Sequence, residues 1–93
     1  RLVMPKIFEN PLLGLTVYIY TNDHVPAHVH VFVGRKGSKN QPGIKINLGS
    51  EDQAPSLVTV HPSINNRDIK NALRLVAENQ ELFLQEWNRI HGA

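Results

Sequence analysis

Leu15-Thr-Val-Tyr-Ile-Tyr-Thr21 and His28-Val-His-Val-Phe-Val33 decide how this chain folds. Both stretches alternate. Leu15, Val17 and Ile19 point one way, and Thr16, Tyr18 and Tyr20 the other. Val29, Val31 and Val33 form one face of the second stretch; His28, His30 and Phe32 form its opposite. A period of two marks half-buried strands, because successive side chains leave a strand on opposite sides. Between them, Asn22-Asp-His-Val-Pro26 reads as a turn, since Asn and Asp favour turns and Pro fixes its own φ.

Reading outward, Ile44–Leu48 is a third strand, with Ile44, Ile46 and Leu48 inward and Lys45 and Asn47 outward. Ser56–Val60 is a weaker fourth strand, rich in β-branched residues but without a clear wet face. Gly34–Gly43 is a basic hairpin tip, and Gly49–Pro55 an acidic loop. Residues 1–13 read as irregular, punctuated by Pro5 and Pro11. The last third changes period. Ile69, Leu73, Val76, Phe83, Trp87 and Ile90 fall at helical spacings and predict an amphipathic helix over 66–91, with Phe83 and Trp87 in the core. Asn65 or Asn66 can cap it, Asp68 complements its dipole, and Gly92 can end it. His91 at the helix end meets the dipole favourably. Gln80 interrupts the apolar stripe and marks Glu78–Glu81 as a place for a kink or break.

The expected fold is α+β and a single domain over 1–93. A small antiparallel sheet of three to four strands (15–60) is covered on one face by a long C-terminal helix, giving a two-layer sandwich. Composition agrees with this size. The chain has 93 residues, 41 % of them hydrophobic and 19 % charged, which suits one globular domain with a thin core. With no cysteine, disulfide scaffolds, Cys-based zinc sites and thiol nucleophiles are excluded. No apolar run approaches the roughly 18 residues of a membrane span, and no signal-peptide pattern is visible. Met4 reads as a natural start behind a short extension, and the default location is cytoplasmic. The net charge of +2 is weak evidence for an anionic partner. Arg35, Lys36 and Lys39, and then Arg67, Lys70 and Arg74, form two basic stretches that ordinary solvated surfaces also explain.

One helix leaves one sheet face uncovered. The alternation assigns it Tyr18, Tyr20, His28, His30, Phe32, Lys45 and Asn47. Aromatic, histidine-bearing and basic, it fits a dimer or partner interface, a nucleic-acid platform, or a catalytic surface. The densest chemistry is Asp23-His-Val-Pro-Ala-His-Val-His30. His28 and His30 project from the same strand face, with Asp23 and His24 on the turn before them. Three readings follow. His24, His28, His30 and a carboxylate could ligate zinc, iron or copper. Two histidines beside a basic residue could instead cleave RNA by acid–base chemistry. The third reading is structural, with Asp23 capping the turn and the histidines pairing across strands with Tyr18 or Tyr20.

Met4-Pro-Lys-Ile, Gly14-Leu-Thr-Val-Tyr-Ile-Tyr20 and Asp23-His-Val-Pro-Ala-His-Val-His-Val31 resemble a family of short bacterial proteins, domain-of-unknown-function family 4160. The family's Asp-His-x-Pro-Pro-His-x-His hallmark is matched at Asp23, His24, Pro26, His28 and His30, with Ala27 in place of the second proline. Ala72–Val76 and Glu81–Trp87 resemble its helix. The resemblance implies a toxin–antitoxin-type setting, with a small antitoxin-like partner protein and a target in RNA or translation.

The leading expectation is therefore a toxin-like module acting on RNA, a metal-independent endoribonuclease needing no cofactor. His28 and His30 form its acid–base pair, Asp23 or His24 orients them, Lys45 and Arg35 hold phosphate, and Tyr18 and Tyr20 line the substrate. The alternatives are a non-catalytic module that docks a partner or a second copy of itself, and a His-rich metal-binding protein.

Overall fold

The computed structural model describes residues 5–34 and 41–92. Five strands form one antiparallel meander in chain order: β1 (Lys6–Asn10), β2 (Leu15–Tyr18), β3 (His28–Val33), β4 (Gly43–Asn47) and β5 (Ser56–Val60). Two helices follow, α1 (Asn66–Glu78) and α2 (Gln80–His91). The α+β class is as the alternation predicts. The strand count and the single long helix are corrected: among the described residues there are five strands rather than three to four, and two helices rather than one.

The added strand is β1, inside the stretch read as irregular. It pairs with β2 from Lys6↔Tyr18 to Asn10↔Leu15, with a register shift between Lys6 and Phe8. That shift places Ile7 and Phe8 side by side and erases the period of two. The Pro11–Gly14 turn closes the hairpin, with the Gly14 amide donating to the Pro11 carbonyl at 3.2 Å.

The inward faces are as expected. Leu15, Val17, Ile19, Val29, Val31, Ile44, Ile46 and Leu48 are all buried, and they share one core with Ala72, Leu75, Val76, Phe83 and Trp87 of the helices. Burying each of the valine, leucine, isoleucine and phenylalanine side chains contributes about 1.5–3 kcal/mol relative to leaving it exposed. Phe83 meets Phe8 edge-on at 5.6 Å, so α2 reaches across to β1. The alternate residues Tyr18, Tyr20, His30, Phe32, Lys45 and Asn47 stay half-buried on the other face. His28, expected to be uncovered there, is instead buried, with Trp87 of α2 against its ring, and Thr16 on the same alternation is buried too.

α1 starts where Asn65 caps it, its side chain accepting the Asp68 amide at 2.8 Å. It ends at Asn79, whose side-chain amide donates to the Leu75 carbonyl at 2.8 Å and competes with the backbone ladder. The break lets Gln80 turn into the Leu48–Gln53 loop. Its Nε2 sits 2.7 Å from the Leu48 carbonyl, 2.9 Å from that of Ser50 and 3.0 Å from that of Gln53. The loop is tight because Gly49 takes φ +70°, and a Cβ there would run into the Gln53 carbonyl. α2 closes at Gly92, also left-handed. Among the described residues, no helix is long and apolar enough to cross a membrane.

Candidate metal centre

The Asn22–Pro26 turn and the first residues of β3 build the site. Tyr20 and Asp23 are bonded reciprocally: the Asp23 amide donates to the Tyr20 carbonyl at 3.1 Å, and the Tyr20 amide donates to Asp23 Oδ2 at 3.0 Å. This turn aims the Asp23 carboxylate back over β3. There it meets both histidines of the strand. His28 Nε2 is 3.3 Å from Asp23 Oδ1, and His30 Nε2 is 3.2 Å from Oδ2. One donor atom from each of the three residues lies within 4.8 Å of the other two.

The hydrogen bonds constrain the protons. His28 Nδ1 is 2.9 Å from the Pro26 carbonyl oxygen, which can only accept, so Nδ1 carries the hydrogen. In the neutral ring, Nε2 then turns a lone pair toward a carboxylate. A proton or a cation between them relieves that contact. The donors are spaced for a cation: metal bonds of about 2.0–2.2 Å would span 3.2–3.3 Å at about 100°, between tetrahedral and octahedral geometry. The Nδ1 bond to a backbone carbonyl also matches how protein fixes the tautomer and orientation of a metal-ligating histidine.

Charge states favour ligation as well. Burial raises the Asp23 carboxyl, but the Tyr20 amide and the neighbouring histidines outweigh it and hold the group below the usual carboxylate range. Burial pushes His30 below the usual imidazole value, opposed by Asp23 and reinforced by His28 and Lys45. Both groups therefore hold the deprotonated form that a metal needs near neutral pH. Burial, then Asp23 and Tyr18, raise the Tyr20 phenol, so it remains neutral.

The site is one-sided. The His28 side chain is 5 % exposed and Asp23 12 %, whereas His30 is 21 % exposed. Trp87 of α2 tilts against His28 at 5.3 Å between ring centroids, and His91 lies against Trp87 at 3.9 Å. Tyr20 stacks on His30 at 4.4 Å and 27°. The open side is therefore the His30 side, where Tyr18 of β2 and Lys45 of β4 sit directly opposite His30 in the ladders.

Of the expected site residues, Asp23, His28, His30, Tyr18, Tyr20 and Lys45 come together. His24 does not: it is exposed on the turn and outside the donor cluster. Arg35 lies outside the described residues. Sequence reasoning missed Pro26 as the acceptor that sets the His28 tautomer, and Trp87 as the lid over its ring. No spacing signal joins Trp87 to His28, because the contact crosses most of the chain.

No curated protein and no solved structure matches the chain. A family match runs over residues 14–88, which holds Asp23, His28, His30, Lys45 and Trp87. On that match, the chain belongs to the family described as Domain of unknown function (DUF4160).

Proposed function

We propose that this protein binds one divalent transition metal, of the zinc or iron class, through Asp23, His28 and His30. The observation that carries this reading is the pair of contacts on His28: Nδ1 tied to the Pro26 carbonyl and Nε2 3.3 Å from Asp23 Oδ1, with His30 Nε2 3.2 Å from the same carboxylate. Two imidazoles and one carboxylate leave positions open for water or substrate, the arrangement used for hydrolytic and oxygen chemistry. The geometry weighs against a metal-free pair. Two histidines acting as acid and base need to face opposite sides of a scissile phosphate, yet here both Nε2 atoms face one carboxylate and His28 is buried.

Cobalt(II) added to metal-free, untagged protein tests this. The reading predicts a visible absorption band that saturates at one equivalent and disappears in His30→Ala. No band in the parent, or an unchanged band in the variant, overturns it.

One observation favours a second reading, docking of a small antitoxin-like partner or a second copy. β5 is the last strand of the sheet and exposes Leu57 and Val58, at 41 % and 44 %. An apolar edge of this kind accepts an added strand. Light scattering on the parent and on Val58→Lys checks it: a dimer that the variant abolishes supports self-association, and a monomer in both excludes the second copy.

A further inference from the structure

We infer that the open side of this centre takes a phosphoryl oxygen of single-stranded nucleic acid, with Lys45 as the counter-charge. The inference rests on the metal reading and names the ligand class of that same site.

Lys45 is the cross-strand partner of His30, so the two side chains stand on one face within a few ångströms of backbone separation. Among the described residues, Lys45 has no ion-pair partner, in contrast to Lys6 and Arg89, which pair with Glu9 and Glu86. A half-buried, unneutralised ammonium beside a metal leaves excess positive charge. Asp23 cancels one charge of a divalent ion, and Lys45 restores it. A phosphodiester monoanion bridging the metal and the ammonium lowers that excess from two charges to one. Both of its free oxygens are within the same group.

The rest of the face favours a nucleic acid strand over a free anion. Phe32 lies across the ladder onto Gly43: a Cβ at Gly43 would come within 3.0 Å of the Phe32 ring. The glycine leaves room for the ring to lie against the sheet. Tyr18 meets Phe32 edge-on at 5.4 Å, and Tyr20 stacks on His30. Half-buried aromatic rings thus flank the donor residues and Lys45 along adjoining strands. Unpaired bases stack on such rings while cations hold the backbone.

The test uses zinc-loaded protein and a fluorescently labelled single-stranded RNA of about a dozen nucleotides, within the usual site size. Anisotropy should show binding that weakens about tenfold or more in Lys45→Ala, the effect of losing a charge-assisted phosphate contact. Lys45→Arg should restore most of it. Metal-free protein should bind more weakly than the zinc form, and inorganic phosphate at millimolar concentration should compete. Binding indifferent to both zinc and Lys45 overturns the inference while leaving the metal reading intact. Inorganic phosphate that shifts the cobalt spectrum in the absence of any RNA binding overturns the nucleic-acid source. Failure of the protein to take up metal overturns both readings together.

Discussion

His30 Nε2 lies 3.2 Å from one oxygen of Asp23 and 3.3 Å from the other, although the two are seven positions apart in the chain. One carboxylate thus serves both histidines of β3. Asp23→Asn keeps the shape and removes the charge. Metal affinity should fall by more than the about 10–100-fold that loss of an outer-shell partner costs. Zinc titration calorimetry on parent and variant checks this, with circular dichroism to confirm that the variant is folded. Equal affinities would remove Asp23 from the ligand set.

Trp87 is the single tryptophan and sits 5.3 Å from His28. An open-shell ion on His28 should quench its fluorescence through close-range transfer from the excited indole. Copper(II) should quench to a plateau at one equivalent, and excess zinc should shift that titration to higher copper concentration without abolishing the plateau. Quenching that rises without a plateau would mean diffuse binding elsewhere.

Acid should weaken the metal-free protein through two groups. His30 is held below the usual imidazole value, mainly by burial, so the unfolded chain takes up its proton first, at about pH 6.5. The unfolded state then binds more protons, and stability declines as pH falls from there toward the native value. Asp23 is displaced the same way in sign. Its contribution is present above the unfolded carboxyl value and is lost as pH falls through the lower native one. Urea denaturation between pH 7 and pH 5 should show a slope that becomes shallower in His30→Gln. An identical slope in parent and variant would contradict the assignment.

Gln80 joins the helix break to the β4–β5 loop through three carbonyls. Gln80→Leu keeps the volume and loses the donor. It should cost about 1–3 kcal/mol, chiefly from the partly buried Leu48 carbonyl left without its donor. A change within about 0.5 kcal/mol, typical of an ordinary surface site, would show that water replaces the amide.

The sheet's inward face was legible because alternation in β2, β3 and β4 is unbroken, and every inward residue from Leu15 to Ile19 and from Ile44 to Leu48 is buried. β1 was hidden because its bulge sets Ile7 beside Phe8. The helix break left a trace in the polar Gln80, but its cause is a set of carbonyls about thirty residues earlier, which helical periodicity cannot register. At the site, His28 and His30 were visible from their spacing and Asp23 from its nearness. The tautomer of His28 was not, because it depends on the backbone oxygen of Pro26, and oxygens carry no sequence signature. His24 was drawn in by proximity along the chain, yet the turn that aims Asp23 inward leaves His24 in solvent.

Asp23, His28 and His30 each bring one donor atom within 4.8 Å of the other two, the spacing of a single-ion site. Zinc titration calorimetry at pH 7.5 on untagged protein, stripped with chelator and then desalted, tests for that ion directly. One site per chain is expected in the parent, lost in a folded His28→Ala/His30→Ala double variant. No saturable binding in the parent, or the same single site in the double variant, would contradict a site at these residues.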